Sequence, residues 1–301
     1  MEDQKDRKKT EKKKGKRGIG YYVSYVVTVA AVALLIYAGA HFYTEYRAYQ
    51  IAGEEYKNLD ALMQVEENAG SAESTAEETT EEADTETTQT LVDEETGLPE
   101  VSVPSMDIDF EELSSINSDF ACVIYVPALD LTYPVAYSSD NNEYLHETFQ
   151  GTKNASGCIF VDRDAARDFT DLNTLIFGHN MKNMTMFGSL KRFSQDETLC
   201  DTDPYFYLYF EGKTYQYRIF SYYVVSNRDS TVYGKVTDDS YESFVDSALK
   251  RSQYSSYDDA VDFSGRPLLV TLSTCFGTAH TENYVVHGAL VGVHTDADSS
   301  R

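Results

Sequence analysis

Apolar positions along this chain fall into three regimes. Between Gly18 and Thr44 no charge interrupts the sequence, and the run Ile19 to Tyr43 is long enough to cross a hydrocarbon core of roughly 30 Å as a helix. From Glu45 to about Gln64 apolar residues recur at helical spacing, which extends that helix by several turns. From Val65 to Pro104 large apolar residues nearly vanish and Glu, Thr, Ala and Ser dominate, with thirteen acidic residues between Glu66 and Glu100 and no basic one. Such a segment buries too little surface to offset its ordering entropy, and its like charges repel, so it reads as a disordered acidic stalk.

Alternation typical of strands begins after about Ser105. Phe110 to Ile116 reads as a short helix. The β-rich runs Ala121–Val126, Leu131–Val135, Cys158–Val161 and Thr174–Phe177 follow, each bounded by turn residues. Tyr205–Phe210 and Thr214–Val225 flank Glu211-Gly212-Lys213 as a hairpin. The stretch 239–250 places Phe244, Val245, Ala248 and Leu249 on one helical face, and Pro267–Leu272 and Tyr284–Val293 close the series. The expected fold is mostly β: a closed or nearly closed barrel of about eight strands with peripheral helices, over residues 105–295, with a short disordered tail at 296–301.

Composition fixes the setting. The 301 residues are 42% hydrophobic, enough for a core, and 25 Lys and Arg against 50 Asp and Glu give a net charge of −25, which repels phosphate backbones and argues against a nucleic-acid partner. Nine of the basic residues lie in the first seventeen positions, and none occurs between Lys57 and Lys153. A basic flank before the span and acidic residues after it predict a cytoplasmic tail (1–17), a single-pass span (18–44), and a juxtamembrane helix with stalk (45–104) outside the cell membrane, where the folded domain also lies. Ala38, Gly39 and Ala40 mimic a signal-peptide cleavage site, but the apolar run is longer than such peptides have, and an uncleaved anchor is expected.

The candidate chemistry is that of a thiol. Cys122 and Cys158 sit inside strand-like runs as small buried residues, and a disulfide between them is not decided by sequence. Cys200 lies beside Asp201 and Asp203, which disfavour a thiolate. Cys275, in LLVTLSTCFG, emerges at the end of a β-rich run, and His179, in TLIFGHNM, follows another strand and a glycine. A thiol and an imidazole at strand ends are what nucleophilic cysteine chemistry requires. No spacing of Cys and His suits a metal, and no cofactor is expected.

The motifs INSDF (Ile116–Phe120), YPV (Tyr133–Val135), DNNEYL (Asp140–Leu145), GCIFVD (Gly157–Asp162), TLIFGHNM (Thr174–Met181), MFGSL (Met186–Leu190) and TLSTC (Thr271–Cys275) resemble, in order and spacing, those of the class B sortases. These are membrane-anchored cysteine transpeptidases of Gram-positive bacteria. The resemblance spans Ile116 to Val293. It implies that Cys275 attacks the Thr carbonyl of a sorting motif on an exported protein and forms a thioester, and that His179 is the acid and base. The acceptor it implies is an amine of a peptidoglycan precursor or cross-bridge. Asn141, Leu145 and Ser273 would line the substrate groove, and the helix at 239–250 resembles the insertion that marks class B. One position departs: Asn283 stands where the family carries an Arg that binds substrate carbonyls and the oxyanion. Three explanations follow: an enzyme that uses Asn283, one that recruits another base such as His280, Arg228 or Arg266, or a weakened sortase fold serving as a surface binding or scaffold domain.

Overall fold

The uncharged run and the amphipathic stretch after it form one helix, α1 (Ile19–Asp60), uninterrupted because its 42 residues contain no proline. The computed structural model describes residues 19–66, 92–93, 97–277 and 281–296; the basic tail at 1–17 and the terminal residues 297–301 lie outside them. The chain divides into two compact units, Met1–Ala48 and Tyr49–Arg301. In the first, Val26, Leu34, Leu35 and Ile36 are exposed on all sides of a helix long and apolar enough to cross a membrane.

In the second unit the last turns of α1 change character. Ala52, Glu55, Tyr56 and Leu59 are buried, at the spacing of a single helical face. Strand β1 (Met63–Val65) follows and pairs antiparallel with β2 (Met106–Ile108). The expected domain start at 105 therefore moves to Tyr49, because this face of α1 and Met63 join the same core as the barrel. The far boundary of the acidic stretch moves as well. Glu100 pairs with Val293, Val101 lies against Gly292, and Leu98 and Val103 pack on the core. A few apolar residues diluted among Glu and Thr decide that contact, and windowed composition hides them. The acidic residues 67–91 and 94–96 lie outside the described residues.

Eight further strands close into a barrel: β3 (Phe120–Val126), β4 (Leu131–Tyr137), β5 (Ile159–Val161), β6 (Asn173–Phe177), β7 (Tyr205–Phe210), β8 (Lys213–Ser226), β9 (Leu269–Phe276) and β10 (Glu282–Thr295). Their spatial order is β10-β8-β7-β3-β4-β5-β6-β9, with β4–β5 and β6–β9 parallel and the other pairs antiparallel. Closure leaves no unpaired edge. The helices α2 (Phe110–Ile116), α3 (Thr198–Thr202), α4 (Ser230–Tyr233) and α5 (Tyr241–Arg251) are peripheral. All eight expected barrel strands are present; α3 and α4, at four or five residues, are too short to show a period.

Strand alternation sorts β9 and β10 between two cores. Val270, Leu272, Tyr284 and Val286 join the barrel interior. Val285 and Ala289 join a second cluster with Phe220, Phe244 and Val245 under α5. His287 is fully buried on that second face, and burial, aided by Arg251, lowers its pKa to about 3. Its hydrogen bonds form a one-way relay. The Tyr223 hydroxyl donates to Nε2 (3.1 Å), Nδ1–H donates to Thr271 Oγ1 (2.8 Å), and the Thr271 hydroxyl donates to Asn173 Oδ1 (2.7 Å). Because Thr271 spends its only proton on Asn173, the histidine must be the neutral Nδ1–H tautomer. It is a structural residue.

Candidate active site

Three adjacent strands of the barrel bring the expected residues together. β6 and β9 run parallel with Phe177 beside Ser273, so His179 and Cys275 each lie two residues beyond that pair. β9 and β10 run antiparallel with Cys275 directly opposite Asn283, which puts Ser273, Cys275 and Asn283 on one face. These four residues, with Asn141 and Leu145, line a single cavity of about 180 Å³ walled by Phe160 and Phe177.

Each side chain is held from behind. His179 Nε2 lies 2.8 Å from the Leu145 carbonyl oxygen. The imidazole rests against Gly157, where an added Cβ would sit 2.8 Å from the ring Cδ2 and 2.4 Å from the Tyr144 carbonyl. Gly157 also has a φ of +58°, so both the close approach and the backbone require glycine. The Cys275 carbonyl accepts from Asn180 Nδ2 (2.7 Å), whose Oδ1 accepts from Lys191 Nζ (3.0 Å). Asn180 of the GHNM motif thus ties the histidine loop to the cysteine strand. Asn141 has its amide engaged within the protein: Nδ2 donates to Asp162 (3.1 Å) and Oδ1 accepts from the Arg163 amide (2.8 Å).

All four cysteines are free thiols, which answers the pairing question left open by sequence. Cys122 and Cys158 are fully buried, and burial pushes both thiols well above their ordinary range. Cys200 is pushed up to about 12, first by burial and then by Asp201. Cys275 is only half-buried, though burial raises its thiol too, against a backbone hydrogen bond that lowers it. Its thiolate is therefore a minority species at pH 7. Alkylation of Cys275 by a small uncharged reagent is expected to quicken about tenfold per pH unit through pH 7–9, following the thiolate fraction. A rate that levels off below pH 8 would contradict this assignment. Among the described residues no group of three or more His, Cys, Asp or Glu is placed to hold a metal.

Comparison with known proteins decides the relationship. A family model described as the sortase domain matches residues 124–291, more than half of the chain. The chain belongs to the sortase family. It is 32% identical to sortase B of Listeria monocytogenes over 189 residues, covering 61% of this chain and 74% of that protein. It is 28% identical to sortase B of Staphylococcus aureus over 169 residues, 55% and 67% of the two chains. The crystal structure of Clostridium perfringens sortase B superposes with a TM-score of 0.55 at 32% identity, covering 60% of this chain and 97% of that one. A Staphylococcus aureus sortase B–substrate complex gives 0.55 at 26% identity, with 61% and 84% covered. The barrel is that of a class B sortase, and sortases are cysteine transpeptidases.

Against that family pattern, the surroundings of Asn283 are specific. Its Nδ2 donates to the Tyr233 hydroxyl (2.7 Å) and, at 3.4 Å, to Ser273 Oγ; the Tyr233 and Ser273 hydroxyls are 3.0 Å apart. Tyr233, at the end of α4, stacks on Phe177 and was missed from sequence, because an isolated tyrosine in STVYGK carries no periodic or motif signal. Burial raises its pKa, so its hydroxyl keeps its proton. The substitute cations fare differently. Arg266 precedes β9, at the end remote from Cys275, and is held by Glu242 and Asp238. Arg228 follows the end of β8 that pairs with Glu282, and His280 lies outside the described residues.

Proposed function

We propose that this sortase cleaves a sorting motif near the carboxyl terminus of an exported protein and joins that protein to a cell-wall amine. The observation that carries the reading is the convergence of Cys275, His179 and Asn283 on one cavity from three neighbouring strands. The thiol proton passes to the His179 imidazole, and Cys275 sulfur attacks the Thr carbonyl carbon. The tetrahedral adduct collapses as the C–N bond breaks, and the imidazolium gives its proton to the leaving amine. A thioester remains. His179 then removes a proton from the incoming amine of a peptidoglycan precursor or cross-bridge, whose nitrogen displaces the thiolate. Asn141, Leu145 and Ser273 belong to the groove that seats the motif. The protein is anchored by α1 in the cell membrane as a single pass, with its basic end in the cytoplasm and the barrel outside.

In place of the guanidinium, Asn283 orients a neutral hydroxyl pair. It donates to Tyr233, and because the Tyr233 and Ser273 hydroxyls share one proton between them, the other is left for a substrate carbonyl or the oxyanion. Asn283→Ala is expected to slow transfer about tenfold, because it removes the hydrogen bond that orients the Tyr233 hydroxyl and not a donor to the oxyanion itself. Asn283→Arg is expected to stay within about threefold of the parent, since the Tyr233–Ser273 hydroxyl pair already supplies a donor and the added cation disturbs it. Both are read from turnover of quenched fluorescent peptides of the NPxTx and xPxTG kinds, with and without added amine. A gain of a hundredfold or more in the Arg variant would instead identify a detuned sortase fold used for binding.

A further inference from the structure

The last turns of α1 end against the loop on which the His179 imidazole rests. Tyr56, buried in the penultimate turn of α1, donates its hydroxyl proton to the Gly157 carbonyl at 2.7 Å across 101 residues of sequence. Glu55, beside it and also buried, accepts from the Thr148 hydroxyl. Both contacts fall on the loop between Leu145 and Cys158, and the two ends of that loop hold His179. Leu145 offers its carbonyl to the imidazole Nε2, and Gly157 is the surface on which the ring rests. A buried hydrogen bond from α1 thus ends on the very residue against which the imidazole packs.

We infer that Tyr56, through its hydrogen bond to Gly157, is a positioning residue for His179. This rests on the acid and base role proposed for His179. The Leu145–Cys158 loop contains no helix or strand; it is closed on itself by the bridge between Glu147 and Lys153 and by turn hydrogen bonds, and Tyr56 and Glu55 fix how it sits on α1. Without the Tyr56 hydroxyl the Gly157 carbonyl loses its buried donor, and that peptide plane is held only on its other side, where the Cys158 amide donates to the Tyr144 carbonyl (2.8 Å). A shift of even 1 Å at the imidazole costs orders of magnitude in rate when proton transfer depends on its placement.

The test uses the full chain in detergent or nanodiscs. Tyr56→Phe deletes one oxygen and keeps the ring that packs edge-on against Tyr133. Its kcat for transfer is expected to fall about tenfold with KM unchanged, while the His179 ring cross-peaks move in long-range proton–nitrogen spectra and Tm holds to about 2 °C. The His179 signals are identified by their loss in His179→Gln. Glu55→Gln retains an acceptor oxygen for Thr148 and is expected to keep the parental kcat. Parental kcat with unmoved His179 signals in Tyr56→Phe would overturn the inference, as would a fall in kcat that tracks a fall in Tm with those signals unmoved. If His179→Gln itself turns over at the parental rate, the role of His179 fails, and that outcome is separate because it is read in the other variant.

Discussion

Replacing Cys275 with alanine is expected to abolish both peptide cleavage and amine transfer, a loss on the order of 10⁴-fold or more. The thioester requires a nucleophile in the cavity, and no other cysteine can serve. Cys122, Cys158 and Cys200 are buried with their thiols held protonated. Alanine removes the sulfur while keeping the strand, whose register with β6 and β10 depends on backbone pairing. The measurement is turnover of a sorting peptide with and without added amine, joined to intact-protein mass spectrometry for the acyl adduct. The parent is expected to show the adduct and an amine-dependent product, and the variant neither. Parental turnover in the alanine protein would refute the mechanism at its centre, and amine-independent turnover in the parent would replace transfer with hydrolysis.

The second large effect is at the imidazole. His179→Gln is expected to slow transfer about 10³-fold near pH 7, within the range of general acid–base contributions. The raised pKa of Cys275 fixes how this loss varies with pH. Near neutrality the thiol is mostly protonated, so the parent relies on the imidazole to accept its proton, and the variant must find thiolate made by solvent. Raising the pH therefore restores acylation in the variant, by about tenfold per unit until the thiol has titrated. It does not restore protonation of the departing amine, so the variant approaches the parent without reaching it. A pH-independent deficit would show that His179 acts only by shaping the cavity.

Much of this arrangement can be read along the chain. The barrel is legible because each strand is a short β-rich run between turn residues, and because closing the sheet gives every such run two partners. The placement of His179 and Cys275 at strand ends is legible for the same reason. Their proximity is not: it depends on β6 and β9 being parallel neighbours although 91 residues separate Phe177 from Leu269. Tyr233 and Gly157 escape for a related reason. Tyr233 acts through a hydroxyl that meets Asn283 fifty residues later, and Gly157 acts by what it lacks, which no local pattern advertises. The helical period of α1 was visible, but spacing alone does not say whether an apolar face meets lipid, solvent or a barrel. Ala52, Tyr56 and Leu59 meet the barrel.

The antiparallel pairing of β1 with β2 alters what the acidic stretch can do mechanically. Met63 stands opposite Ile108, Val65 opposite Met106, and the Glu66 amide donates to the Ser105 carbonyl, so the chain leaves the folded unit and returns to it at neighbouring points. A segment closed in this way carries no tension between its ends. Lengthening it costs only closure entropy, about 0.6 kcal/mol per doubling. The β1–β2 pair therefore clamps both ends of the acidic stretch to the folded unit, whatever the length between them.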